Sequence, residues 1–279
     1  VNHLRPLQVH HFVLGIESDT TTELIEQHRL ALRSITRARD IGVDGVEVSL
    51  ELILSETGFD YSDIDAGSSI VPHNARDLFG PHARPLPSAR DVFRLLAQSP
   101  AEIVILSNAD ICVTENFYQR VYELHRDGVH SWTAHRKTIL GDPQVGVDPL
   151  DWANSQPGID HPGSDLFATT PNIAKKAFFG DCVFGMAGIG DLVLLNLGVL
   201  DDTFQRYWSL GISFHFGDDR DWEVDERSTN QSAHDHLLKK AASGLRRSVP
   251  FWAYRRGLNR AELGKYSRNR LRRGGQDHA

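Results

Sequence analysis

The chain has 279 residues, 40% of them hydrophobic and 24% charged, and a formal net charge of −7, the composition of an ordinary globular protein able to bury one large core or two closely joined lobes. No apolar run reaches the roughly 18 residues of a membrane-spanning helix, and two cysteines, Cys112 and Cys182, are too few for a disulfide framework or a cysteine metal centre. The opening VNHLRPLQVHHF carries no apolar signal core, so the expectation is a cytoplasmic protein unless the sequence begins after a processing site.

FVLGI, residues 12–16, predicts a first strand that ends in the turn ESDTTT. Leu24, Ile25, His28, Leu32 and Ile35 recur at helical spacing, which predicts a helix over 21–39, and a second strand near 43–54 follows the break at Gly42 and Gly45. This β-α-β opening predicts an α/β protein with an open, mostly parallel sheet and right-handed crossovers. Ligands in such sheets bind at the carboxyl ends of the strands, which marks Gly15, Ile16 and Glu17 as crevice residues. Residues 55–87, rich in Gly, Pro, Ser, Asp and His, read as a long surface excursion, either an acceptor or lid loop or a plain insertion.

Pro87, Ser88, Ala89, Arg90 and Asp91 then open an amphipathic helix bearing Val92, Phe93, Leu95 and Leu96, which leads into AEIVILSNADICV, residues 101–113. Residues 103–106 are apolar on both faces and read as a buried parallel strand that delivers Asn108 and Asp110 to the rim of the sheet. Oxygen ligands at that spacing suit a magnesium or manganese ion also held by substrate phosphates. A strand-closing Asn/Asp turn uses the same residue types.

The order small-Ala-Arg-Asp, helix, strand, N-x-D, over about 28 residues, resembles the nucleotide-sugar glycosyltransferases of the GT-A fold. In them a small-Ala-Arg-Asn segment opens a helix leading to the strand that carries the D-x-D metal motif. The resemblance implies a GT-A-like, Rossmann-type three-layer sandwich. It implies that Arg90 and Asp91 contact the donor nucleotide, that Asp110 holds Mn²⁺ or Mg²⁺ on the sugar diphosphate, and that Asn108, standing where the family has its first Asp, lies in the donor site. The end of the first strand, Gly15 to Glu17, would hold the nucleotide. The family's acidic D-D-x-S signature is absent from the second strand, where Glu47 and Glu51 stand.

Further on, Phe117, Val121, Tyr122 and Leu124 mark a helix, and HSWTAHRKTI reads as the following strand. A loop then carries Asp160, His161, Ser164 and Asp165 to what the resemblance makes the acceptor side. Asp165 is a candidate for acceptor binding or base chemistry, although Gly-Ser-Asp before a strand is also turn chemistry. The glycines at 185, 188 and 190 do not form G-x-G-x-x-G, which excludes a dinucleotide fingerprint. They read as a turn opening a buried helix over 191–197, with Asp191 as its N-cap or, by the resemblance, as a second catalytic candidate.

In GISFHFGDDRDWEVDE, Ile212, Phe214 and Phe216 alternate with Ser213 and His215, a strand pattern that directs His215 away from the phenylalanines. His215, Gly217 and Trp222 resemble the H-x-x-G-x-x-K-P-W element of some retaining GT-A families, with the Lys-Pro missing and Arg220 nearby. That resemblance implies that His215 completes the metal site. His234 and His236 do not form a metal pair if helical, since residues two apart point about 200° from one another.

Residues 239–273 hold twelve Lys and Arg against a single acid, Glu262. A helix docking its aromatics on the main domain and a tail resting on an anionic membrane surface both fit this pattern, the second placing the protein at the periphery of the inner membrane face. Nucleic acid, drawn by the same charge, is the least favoured partner. The expected organisation is a GT-A-like catalytic domain over 1–238, with a donor half at 1–112 and an acceptor half at 113–238, then a basic helical tail over 239–279. The expected activity is metal-dependent transfer of a hexosyl-type sugar from a nucleotide-sugar donor to a carbohydrate or small-molecule hydroxyl acceptor. The alternatives are a catalytically silent scaffold, which Asn108 would suit, and a sugar nucleotidyltransferase, whose usual glycine-rich loop is missing from ESDTTTELIEQ.

Overall fold

The computed structural model describes residues 5–16, 20–57, 60–62, 64–161, 163–217 and 226–263, with side chains of the last segment from 230 onward. The amino-terminal half runs β1 (Leu7–Leu14), α1 (Thr22–Ile41), β2 (Val46–Leu54), β3 (Gly67–Ile70), α2 (Arg76–Phe79), α3 (Ala89–Gln98), β4 (Ile103–Ser107), β5 (Cys112–Val113) and α4 (Phe117–Arg126). It continues through β6 (Trp132–Ala134), β7 (Lys137–Ile139), α5 (Pro149–Ser155), β8 (Ile159–Asp160), β9 (Leu166–Thr169) and α6 (Pro171–Ala174). The last elements are α7 (Ile189–Leu200), β10 (Gln205–Tyr207), β11 (Ser213–Phe216), α8 (Glu226–Ser248) and α9 (Phe251–Arg260).

Local chemistry sets these boundaries. Thr21 caps α1 by accepting a hydrogen bond from the Leu24 amide, and Gly42, at φ 73°, ends the helix in a conformation other residues rarely adopt. Every residue of β4 is buried, as expected of a strand covered on both faces. The main sheet has the order β10-β6-β9-β4-β1-β2-β3. Strand β1 pairs in parallel with β2 and β4, β2 with β3, and β6 with β10. Only β9, between β4 and β6, runs antiparallel among these pairings, so the carboxyl ends of β1, β4, β6 and β10 share one rim. A smaller sheet, β5-β11-β7-β8, stands beside that rim.

One apolar cluster joins the sheet to α3, α7, α8 and α9, and another joins its other face to α1 and α4. Gly257 lets α9 meet α7 backbone to backbone: a Cβ there would lie 2.2 Å from Val199 Cγ2 and 2.7 Å from Val199 N. Helix α8 crosses residues 238–239 without a break, and Leu238, Ala241, Ala242, Leu245, Tyr254 and Leu258 all enter the core.

Several expectations are corrected. HSWTAHRKTI is two strands, β6 and β7, in different sheets, with the chain leaving the first at His135 and Arg136. Residues 55–87 supply the edge strand β3 and the short α2 rather than a bare excursion. Asp191 is not an N-cap: Gly188, at φ 91°, precedes α7, and Asp191 lies in its first turn. Among the described residues no helix is long and apolar enough to cross a membrane.

Candidate active site at the carboxyl rim

Strand β4 ends at Ser107, and the next three residues reach the rim. The small sheet exists at this point because β5 follows Asp110 at once and pairs antiparallel with β11, Val113 opposite Ser213 and Cys112 opposite Phe214. That register brings His215 back against the N-x-D segment. His215 Nε2 lies 3.1 Å from Asp110 Oδ2. Burial opposes ionisation of Asp110, but the hydrogen bond and charge of His215, together with Arg136, outweigh it and hold the carboxyl below its usual range.

The pair fits a divalent cation. A carboxylate oxygen and an imidazole nitrogen are both ligand types for such an ion, and the 3.1 Å hydrogen bond between them would give way to it. Among the described residues no group of three or more His, Cys, Asp or Glu side chains is gathered for a metal. Two protein ligands leave the remaining positions to phosphate oxygens and water, the usual arrangement for magnesium beside a substrate.

Asn108 has a different role from Asp110. Its Nδ2 donates to Asp165 Oδ1 at 2.8 Å and its amide donates to the Asp165 carbonyl at 2.9 Å. The other carboxylate oxygen of Asp165 is ion-paired with Arg136, which is buried. Both oxygens of Asp165 are thus occupied, and this acid braces the rim instead of standing open to an acceptor. An aspartate at 108 would set two carboxylates at hydrogen-bond distance, where like charges resist ionisation together.

At the neighbouring strand end, β1 is tied down by Tyr61, whose hydroxyl accepts from the Ile16 amide at 3.1 Å and meets His28 Nε2 at 3.2 Å. His28 Nδ1 donates to the Ala109 carbonyl at 2.6 Å, linking α1 to the N-x-D turn. Burial lowers the His28 pKa, against the Ala109 carbonyl and the charge of Asp110. A Cβ at Gly15 would lie 2.4 Å from Leu54 Cδ2 and 3.2 Å from the Ile53 carbonyl, so a larger residue there would require Leu54 to shift. Glu17 lies outside the described residues, as do Arg220 and Trp222. Asp91 is buried and taken up by His73 Nδ1 at 2.7 Å and Arg94 Nη1 at 3.1 Å, so it stabilises the start of α3 rather than reaching a ligand. Arg90 is half exposed, 3.7 Å from Asp181.

On the other side, the first turn of α7 rests on the loop before β9: a Cβ at Gly190 would lie 3.1 Å from the Ser164 carbonyl. Asp191 follows, partly buried, with no hydrogen bond or ion pair from a described residue on its carboxylate. Burial lowers the Arg206 pKa, while the charges of Asp191 and Glu262 oppose this. Arg206 Nε donates to His135 Nε2 at 2.8 Å, which places the imidazole proton on Nδ1, where it donates to the His161 carbonyl at 3.1 Å. Burial, then the Arg206 charge, lowers the His135 pKa below its usual value.

His135 stacks on Trp208 with centroids 3.9 Å apart and planes 9° from parallel, and the Arg206 guanidinium lies 4.6 Å from the same indole. The bond between His135 and Arg206 puts both on one face of the ring. The indole N–H donates to Glu262 at 2.7 Å. Trp208 is nonetheless 49% exposed, so its second face is open. Sequence reading missed His135, Arg206 and Trp208. The signal available was the alternation of Arg206 and Trp208, two apart at the end of a strand and so on one face.

No protein-family profile and no curated protein matches the chain. Among solved structures, residues 1–349 of S. aureus TarS in complex with UDP-GlcNAc are similar, with TM-score 0.50 and 10% identity over 95% of this chain and 70% of that one. Glucosyl-3-phosphoglycerate synthase from Mycobacterium tuberculosis in complex with Mn²⁺, UDP and glucosyl-3-phosphoglycerate gives TM-score 0.48 and 15% identity over 84% of this chain and 80% of that one. The likeness to the TarS fragment concerns the fold, and with the strand order above it identifies this chain as an α/β protein of GT-A-like architecture, a mostly parallel sheet between helical layers.

Proposed function

We propose that the protein is a metal-dependent glycosyltransferase that moves a hexosyl-type sugar from a nucleotide-diphosphate donor to a hydroxyl of a carbohydrate or small-molecule acceptor. The observation that carries this reading is the Asp110–His215 pair, 3.1 Å apart at the carboxyl rim of a GT-A-like sheet. A divalent ion, Mn²⁺ or Mg²⁺, supplies charge stabilisation to the departing nucleoside diphosphate when bound. Asp110 and His215 hold that ion. The nucleotide lies beside the end of β1 at Gly15 and Ile16, where the Leu54 side chain and the Tyr61 hydroxyl fill the space directly over Gly15. Arg90, half exposed at the start of α3, pairs with the anionic donor.

Asp191 accepts the acceptor's hydroxyl proton. It replaces Asp165 in this role because its carboxylate is unoccupied by described residues, whereas both oxygens of Asp165 are engaged. The open face of Trp208, on the same rim, stacks against the acceptor ring. UDP-sugars head the donor panel because the TarS fragment is described with UDP-GlcNAc. The test is the melting temperature of the purified protein against UDP-, GDP-, ADP- and dTDP-sugars with and without Mn²⁺, since a ligand of the native state raises Tm by mass action. A metal-dependent rise with one nucleotide, abolished in Asp110→Ala, is expected. Full metal-dependent donor turnover by Asp110→Ala would falsify the proposal.

A further inference from the structure

Helix α9 buries one face and exposes an unusual other. Tyr254, Gly257 and Leu258, with Ala261 just beyond, are buried against the body of the protein. Phe251 and Trp252, on the outer side at the start of the helix, are 59% and 62% exposed. Two adjacent large aromatics left in water are an unfavourable surface for a lone globule. Around them stand exposed guanidinium groups: Arg246, from the end of α8, lies 5.7 Å from the Phe251 ring, Arg255 lies 5.9 Å from it, and Arg256 lies 5.0 Å from the Trp252 ring. Lys240 and Arg247 add exposed charge, no acidic residue occurs from 239 to 261, and Asp202, itself exposed, lies 3.7 Å from Arg256 at the edge of the corner.

The partner of this corner must bury apolar rings and neutralise cations within one shallow layer. The interface of a bilayer containing anionic lipid does both, since Trp and Phe settle at the headgroup level while arginines pair with lipid phosphates. A nucleic-acid duplex would satisfy the arginines and leave the two rings without an apolar layer. The net charge of −7 for the whole chain also means that an anionic surface attracts this corner and repels the rest, which fixes orientation as well as affinity. We propose that the α8–α9 corner docks on anionic membrane, with Phe251 and Trp252 entering the headgroup boundary and Arg246, Arg247, Arg255 and Arg256 facing lipid phosphates. The proposal is independent of the transfer reaction.

The test is flotation of the full chain with vesicles of phosphatidylcholine alone and of phosphatidylcholine with phosphatidylglycerol. Binding to the anionic vesicles only is expected, weakening steeply with salt because each basic residue at such a surface raises partitioning roughly five-fold. The double variant Phe251→Ser/Trp252→Ser keeps the charge and is expected to lose about ten-fold or more of the binding. Arg255→Glu/Arg256→Glu is expected to lose it as well. All four side chains are exposed, so an unchanged melting temperature verifies that each variant is folded. Absence of binding to anionic vesicles overturns the proposal, as does full binding by the aromatic double variant. Equal affinity for a DNA duplex, insensitive to the aromatic substitutions, would overturn it too and mark a general polyanion site.

Discussion

Replacing Asp165 by alanine separates an acid that holds the rim together from one that performs chemistry. The Arg136 side chain it pairs with is only 8% exposed, and removing one partner of a buried ion pair costs about 3–5 kcal/mol because the other charge stays in the interior. The lower end applies, since the Asp110 carboxylate still acts on Arg136. The loss of the 2.8 Å bond from Asn108 falls within the same figure. About 3 kcal/mol corresponds to a fall in Tm of roughly 5 °C for a chain of this size. Asp191→Asn, by contrast, removes no hydrogen bond or ion pair from a described residue, only one of the two acidic charges acting on Arg206. Its melting temperature is expected to stay within about 2 °C of the parent, its donor-induced shift to persist, and its turnover to drop by about 10²–10⁴ as for a lost general base. Calorimetry or dye-monitored melting with a donor titration measures both. An Asp165→Ala protein as stable as the parent would refute the bracing argument, and an Asp191→Asn protein with full turnover would return the base role to another group.

Trp208→Ala is expected to raise the acceptor KM roughly 3–10-fold with little change in kcat, the signature of lost stacking in ground and transition states alike. An unchanged KM would mean that the open indole face is not where the acceptor lies. Glu51, the acid on β2 nearest to the missing family signature, is instead structural. The hydrogen bond from His10 and, less so, that from Ser69 lower its pKa below the ordinary 4.5 against the opposing effect of burial. A carboxyl with a depressed folded-state pKa adds stability that is fully present above its unfolded pKa and lost as pH falls through the folded value. Glu51→Gln should therefore melt below the parent near neutral pH and converge with it in acid, and a gap independent of pH would count against the pairing.

The fold was legible where the pattern is local and repeated. The apolar run at 103–106 read as a covered strand and is one, and the helix at 21–39 announced itself by periodicity, its Thr21 cap being seen only in the fold. The β6–β7 break was not legible, because HSWTAHRKTI has no Gly or Pro at the point where the chain changes sheets. What turns it there is long-range: His135 is claimed by Arg206 and Trp208, while its neighbour Arg136 is claimed by Asp165. Strand β3 was hidden by brevity and polarity, GSSI being ordinary loop composition until β2 offers it an edge.

The site shows the same division. Asp110 and His215 could be nominated from strand endings and alternation, since each is set by its own element. Asp165 could not be judged, because its role depends on partners 57 residues away at Asn108 and on a different strand exit at Arg136. The departure from D-x-D at Asn108 gains its meaning only from that geometry. Seen in sequence, an amide in place of an acid suggests a weakened metal site. In the fold the negative charge is carried across the rim by Asp165, held by Arg136, and an amide at 108 is what lets the two residues bond instead of repel. Asp110, whose carboxyl is held below its usual range by His215 and Arg136, is left free of that pairing at the rim. The substitution leaves Asp110 in the place the proposed metal site needs, and the pairing of Asn108 with Asp165 is the unit by which other chains of this shape should be compared.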